Sequence, residues 1–357
     1  MMRLVCRALL LLALVPFATA QRAIIVDAAG GGDFTEIQPA VDAAPVGGLV
    51  RVRHGVYPGD VIIRQGIRLI GDRWIRGVEG NILIEGSVKV LDLPTDQSFV
   101  GTDLLIRWTA STQYTFVFEN CLGNVYLANS IGRLELRNCN YVSTDLCEGP
   151  ANSVEPGAVV EDSFLISSNS EWSSFAGVST PMVVTRSKLI LVNSDLLNFN
   201  VATLDPPLPA LELTDSELIY TGDVNFWINC IDIFGPCPPS IKLVGNSTTE
   251  KKDRGASVPV ADIHEPKHLQ IRYSSGNSSV WAMMVGLPIN PLEIPQGTLH
   301  IDPTASVMLR LGSPPGPATF DFSLPAGNRL GIPITFQAAA FLLVGEVRLS
   351  IPFTVVL

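Results

Sequence analysis

The chain has 357 residues, 47% of them hydrophobic, and a formal charge of −10, enough apolar material for about two domains with buried cores. That acidic balance excludes a nucleic-acid partner, which calls for a basic face. It also opposes a polyanionic glycan unless cations bridge the like charges.

Residues 1–20 read as an export signal. Arg3 and Arg7 lead into an apolar run over 8–15, and Ala18-Thr19-Ala20 offers a small-x-small cleavage site. The run is too short to span a bilayer, and no later stretch is a candidate membrane helix. The expected product is therefore exported: secreted, periplasmic or bound at the cell surface. Five cysteines remain after cleavage, an odd number in a compartment where disulfides form. Cys230 with Cys237, flanking a Pro/Gly turn, is the first candidate pair. Cys139 with Cys147 is the second, leaving Cys121 free and buried.

From residue 24 the chain reads as a strand over 24–27, then the turn Gly30-Gly31-Gly32-Asp33-Phe34. Thr35 and Gln38 have capping-box spacing for a helix through Ala44. Ile37, Ala40, Val41 and Ala44 would share its apolar side, and Pro45 with Gly47-Gly48 stops it. Short strands follow over 49–52, 61–63 and 67–70. The helix is placed to plug the end of a solenoid, whose first rung would otherwise expose its core and an unpaired edge.

Val26-Asp27, Gly31-Gly32-Asp33-Phe34, Ile37-Gln38, the run Ala40-Val41-Asp42-Ala43-Ala44-Pro45 and the stretch 52–57 carry a family resemblance. They resemble the start of the pectin-lyase-like superfamily of right-handed parallel β-helices, pectin methylesterases above all. The resemblance implies the fold. It leaves the activity open, because such β-helices host lyases, hydrolases, esterases and binding proteins.

In the middle of the chain one phrase returns: apolar, spacer, polar, then Cys or Ser. It reads Phe118-Glu119-Asn120-Cys121, Leu127-Ala128-Asn129-Ser130 and Leu136-Arg137-Asn138-Cys139, at nine-residue spacing. It returns as Val160-Glu161-Asp162-Ser163, Val184-Thr185-Arg186-Ser187, Leu213-Thr214-Asp215-Ser216 and, loosely, Val244-Gly245-Asn246-Ser247. A unit unable to bury its own apolar face must stack on its copies. Apolar residues here alternate at period two, which makes the solenoid β and not α. Asn and Asp suit left-handed turns at the strand ends, and stacked Asn side chains can form a ladder.

No complete catalytic set is legible. Gly222-Asp223-Val224-Asn225-Phe226-Trp227 faintly echoes an esterase motif, with Asn225 where the nucleophilic aspartate would stand, and an amide is a poor nucleophile. Asp232-Ile233-Phe234-Gly235 is a weaker echo still. No Asp-Asp pair suggests inverting hydrolysis, and Asp162, Asp195, Asp215 and Asp223 lack calcium-ligand spacing. His264-Glu265-Pro266-Lys267-His268 matches the zinc-protease pattern in letters. Pro266 breaks the helix that would bring both histidines to one metal, so the segment reads as linker. No metal or cofactor is expected, and the catalytic residues stay unassigned.

Composition changes after residue 247: charge, Gly and Pro mark a linker over 248–267, and strict alternation resumes over 319–324 and 346–357. With its Pro-Gly turns, 268–357 reads as a small antiparallel β-sandwich; about 90 residues are too few for a membrane barrel. The stretch from Gly297 resembles a C-terminal β module of secreted planctomycete proteins. The expected whole is all-β: a right-handed parallel β-helix over 21–247 with an N-terminal capping helix, then a sandwich. The expected role is carbohydrate binding or cell-surface association, through a groove lined by Ser, Asn and aromatics such as Trp172 or Tyr141. The alternative is a polysaccharide-modifying enzyme, pectinesterase-like or pectate-lyase-like, marked by two carboxylates with Arg or Gln.

Overall fold

The computed structural model describes residues 22–71, 82–109, 112–149, 155–175, 179–199, 208–221, 223–228, 239–252, 260–265, 268–273, 278–294, 297–312, 318–323, 332–342, 347–349 and 353–356. The expected leader over 1–20 lies outside them, as do Cys230, Cys237 and the 232–235 echo.

Period-two alternation becomes parallel strands wound into a right-handed solenoid with three walls. The long wall is a sheet of ten strands, from Ile24–Val26 to Thr248–Lys252. A second wall has eight, from Val61–Ile63 to Ile241–Val244. A third is thinner: Glu171–Phe175, Asp195–Phe199 and Asn225–Ile228 form its sheet. The first coils begin it with a parallel pair, Gly55–Pro58 with Ile82–Glu85, and isolated bridges such as Ile131 with Glu148 and Glu148 with Glu171 join the two parts. One full coil runs Ala158–Glu161, Phe164–Ser168, Glu171–Phe175, then returns to the second wall at Met182–Thr185.

The nine-residue spacing is half a coil. Phe118 pairs with Leu136 on the second wall, while the intervening Leu127 pairs with Thr144 on the long wall. The returning phrase therefore marks two corners. Asp92, Asn120, Asn138, Asp162, Arg186 and Asp215 stack at the first corner with φ between 47° and 58°, and Gly245 follows at 64°. Asp103, Asn129, Leu146, Asn169 and Asn193 do the same at the other, between 45° and 55°. Short polar side chains tolerate this left-handed region because they bond locally. Asn138 Nδ2 donates to Asn120 Oδ1 at 3.0 Å, and Asn120 Nδ2 to Asp92 Oδ1 at 3.2 Å.

The small residue after each turn forms a second ladder. The amide of Cys139 donates to Ser163 Oγ, that of Ser163 to Ser187 Oγ, and that of Ser187 to Ser216 Oγ, at 3.0–3.1 Å. Each of these hydroxyls in turn donates to the carbonyl two residues back, as Ser187 does to Thr185 at 2.6 Å. Between the ladders Phe116, Phe118, Leu134, Leu136, Val160, Val184 and Leu213 fill the bore, fully buried.

The helix spans Ile37–Ala43 and turns Ile37, Ala40 and Val41 into that core. The expected capping box does not form: Glu36 is the N-cap and makes no side-chain cap bond. Gln38 is used otherwise. Its amide donates to the Ile62 carbonyl at 3.1 Å and accepts from the Ile62 amide at 2.6 Å. It thereby stands in for a neighbouring strand along the first edge of the second wall.

The solenoid runs five residues past the expected boundary, since Thr248–Lys252 pairs in register with Glu217–Thr221. Val260–Glu265 and His268–Tyr273 then form an antiparallel hairpin in which Glu265 faces His268. His264 and His268 thus stand on separate strands, not on a linker, and no helix brings them to one metal. Ala318–Ser323 completes that sheet, and a second antiparallel sheet joins Gly297–Gly312, Ser278–Ile294, Pro333–Leu342, Val347–Leu349 and Phe353–Val356.

Candidate functional site

The three walls differ sharply on their outer faces. Strands of the second wall alternate buried with half-buried residues, as in Ala158–Glu161 and Met182–Thr185. On the long wall every residue of Asn124–Ala128 and Tyr141–Asp145 is buried. The outer face there carries an apolar cluster (Val100, Tyr126, Tyr141, Ile166, Ile190) and the C-terminal strand Phe353–Val356 packs against it. Tyr141 is therefore covered, although it points outward as expected. Trp172 points into the bore, because alternation from exposed Glu171 turns it inward, and its Nε1 donates to Ser167 Oγ at 2.9 Å.

The second wall carries a paired-acid cluster with arginine. Arg133, its side chain 10% exposed, reaches Glu135 at 2.8 Å and Glu155 at 2.7 Å, while its Nε donates to the Pro156 carbonyl at 3.0 Å. Arg137 takes the other oxygen of Glu135 at 2.8 Å. The cluster ties the 155–156 segment to the wall.

The remaining acids named from sequence are also engaged. Arg186 holds Asp162 at 2.7 Å and pulls its carboxyl below the usual range. Asp215 accepts the Asn246 amide at 2.9 Å, and the Asp223 amide donates to Asn193 at 3.1 Å. Among the described residues no group of three or more His, Cys, Asp or Glu is placed to hold a metal.

The cysteines belong to the corner ladders. Cys139 and Cys147 sit at different corners, buried and free, so the bridge expected between them is not formed. Cys139 Sγ donates to the Phe118 carbonyl at 3.2 Å and Cys147 Sγ to that of Leu127 at 3.4 Å. The neighbour of Cys139 in the stack is Cys121, whose thiol is pushed up by that partner and by burial. Burial raises Cys147 to about 12. Protonated, enclosed thiols of this kind are inert.

The third wall presents acids, an amide and an indole to solvent. Glu171, Asp195 and Asn225 share one register row, and Glu148 precedes them by an isolated bridge. Glu171 and Asn225 are exposed and Asp195 half-buried; Asn225 Nδ2 donates to Asp195 Oδ1 at 2.8 Å. In the neighbouring outward row Leu197 pairs with Trp227, which is 44% exposed. Carboxylates and an amide one rung apart, beside an indole face, can hydrogen-bond and stack on sugar rings. Asn225 and Trp227 lie in the motif echo noted from sequence, whereas their pairing with Glu171 and Asp195 spans coils of different length and leaves no local signal.

Comparison with known proteins agrees with this architecture. A protein of Arabidopsis thaliana described as probable pectinesterase 67 is 35% identical over 111 residues, covering 28% of this chain and 31% of that protein. The solenoid and this similarity fit a pectin-lyase-like parallel β-helix. The chain spans about a third of the length of the relative it matches. No family model matches. The solved structure of ORF18 from Geobacillus virus E2 aligns over 92% of this chain and 86% of its own, at 12% identity and a TM-score of 0.27.

Proposed function

We propose that the protein is an exported bacterial β-helix that holds an extended polysaccharide against its third wall. The observation that carries this reading is the in-register row Glu171, Asp195 and Asn225 beside the exposed Trp227. An acidic row favours a neutral or esterified glycan over a bare polyanion, and the pectinesterase-like relative points to methyl-esterified pectin as the first ligand class to try. The leader read over 1–20 supports export, and the C-terminal strands support a sandwich-like accessory module.

The test is binding to pectins of graded esterification, with methanol release read in the same samples. Trp227→Ala is expected to weaken binding about tenfold, the loss of roughly 1.4 kcal/mol of ring contact. Unchanged binding in this variant, or equal binding to every glycan including dextran, overturns the reading. A second reading, an esterase, is favoured by the relative's description; methanol release lost in Glu171→Gln and Asp195→Asn would establish it.

A further inference from the structure

The long wall is covered by a joint that is poorly satisfied in polar terms. His300, on strand Gly297–Gly312, is 3% exposed and lies between the rings of Tyr141 and Phe164, with centroids 5.9 and 6.3 Å away. Its amide donates to Gln337 Oε1 at 3.0 Å. Tyr141 bonds Thr354 on the covering strand. Yet His300 Nδ1 and the Tyr126 hydroxyl are both buried without a hydrogen-bond partner. Unpaired buried polar atoms weaken a joint, because each gives up its water for nothing.

Ionic surroundings make the joint one-sided. The cation facing His300 is Lys188, next in register to Phe164 and bonded to Glu217 at 3.3 Å. On His300's own strand, the Asp302 carboxylate is engaged by Thr304 at 2.7 Å. On the long wall, Asp145 accepts Asn169 at 2.9 Å. Among the described residues, the other titratable groups against this face are the phenols Tyr126 and Tyr141, both held neutral by burial. An imidazolium here would meet, among the described residues, aromatic carbon and a lysine, and the carboxylate at hand, Glu217, is already taken by that lysine.

We propose that the C-terminal sheet is an acid-releasable cover, which lifts from the long wall when His300 is protonated and bares the aromatic cluster Tyr126, Tyr141 and Phe164.

The sign follows from linkage. Burial, with Lys188 second, lowers the docked ring from 6.5 to about 4. Docking is therefore at full strength above pH 6.5 and weakens about tenfold per unit as pH falls toward 4, with no further change below.

Hydroxyl-radical footprinting of the full chain between pH 7.5 and 4.5 tests this, with circular dichroism at each point to report the β-helix. Oxidation of Tyr126 and Tyr141 is expected to rise steeply below pH 6.5 while the β-signal holds, and the rise should be absent in His300→Gln. Lys188→Met, on the solenoid side, removes the repulsion and should give a shallower rise than wild type. Protection unchanged down to pH 4.5 overturns the cover. So does an equal rise in either variant, or a rise that appears only as the β-signal is lost.

Discussion

Leu146 breaks the pattern of its own corner. It adopts a φ of 52° with its side chain 38% exposed, in a column otherwise made of Asp and Asn. Leucine gains nothing in that conformation, and a branched apolar side chain costs roughly 1 kcal/mol there. Leu146→Asn is expected to raise stability by about 1 kcal/mol in chemical denaturation, with an unchanged slope. The turn column was legible as recurring Asn and Asp; Leu146 was not, because nothing in its neighbours marks it as a corner. Tyr141 fails from the same cause. Its outward direction follows from alternation, but what covers it, His300 and the strand Phe353–Val356, lies far along the chain.

Among the elements, the serine ladder is the device that keeps coils of unequal length in register. Phe116 meets Leu134, whereas Leu211 meets Ile241, so the connecting loops absorb a difference of a dozen residues without disturbing the corners. Ser187 illustrates what each hydroxyl does, accepting the Ser163 amide at 3.0 Å and satisfying the Thr185 carbonyl. Ser187→Ala leaves the Ser163 amide buried and unpaired, an expected loss of about 1–3 kcal/mol in a thermal or urea melt. Ser187→Cys should lose less, since Cys121 and Cys139 occupy the same column. The period of two, the helix and its apolar side, and the stacking of the phrase could all be read directly. The assignment of the nine-residue copies to alternate walls could not, because half a coil and a whole coil look alike until pairing is known. The third-wall row was hidden for a related reason: Glu171, Asp195 and Asn225 are neighbours only through corners of variable loop length.

At the scale of the whole molecule, a rod built from repeating coils has two ends of matching pitch, and only one is seen to be plugged by a helix among the described residues. The front is closed by Ile37–Ala43 and by the Gln38 amide set against Ile62. The back finishes on Ile241–Val244 and Thr248–Lys252, the latter rich in charge, a means of discouraging strand addition. Cutting away 22–45 would hand the rod a raw front that fits the back of the next molecule. Such a truncated chain should polymerise head to tail into filaments visible by electron microscopy, growing with concentration, whereas the intact one sediments as a discrete species. In that outcome the front cap, the helix with the strand Ile24–Val26, would be what keeps a fibre-forming architecture from making fibres.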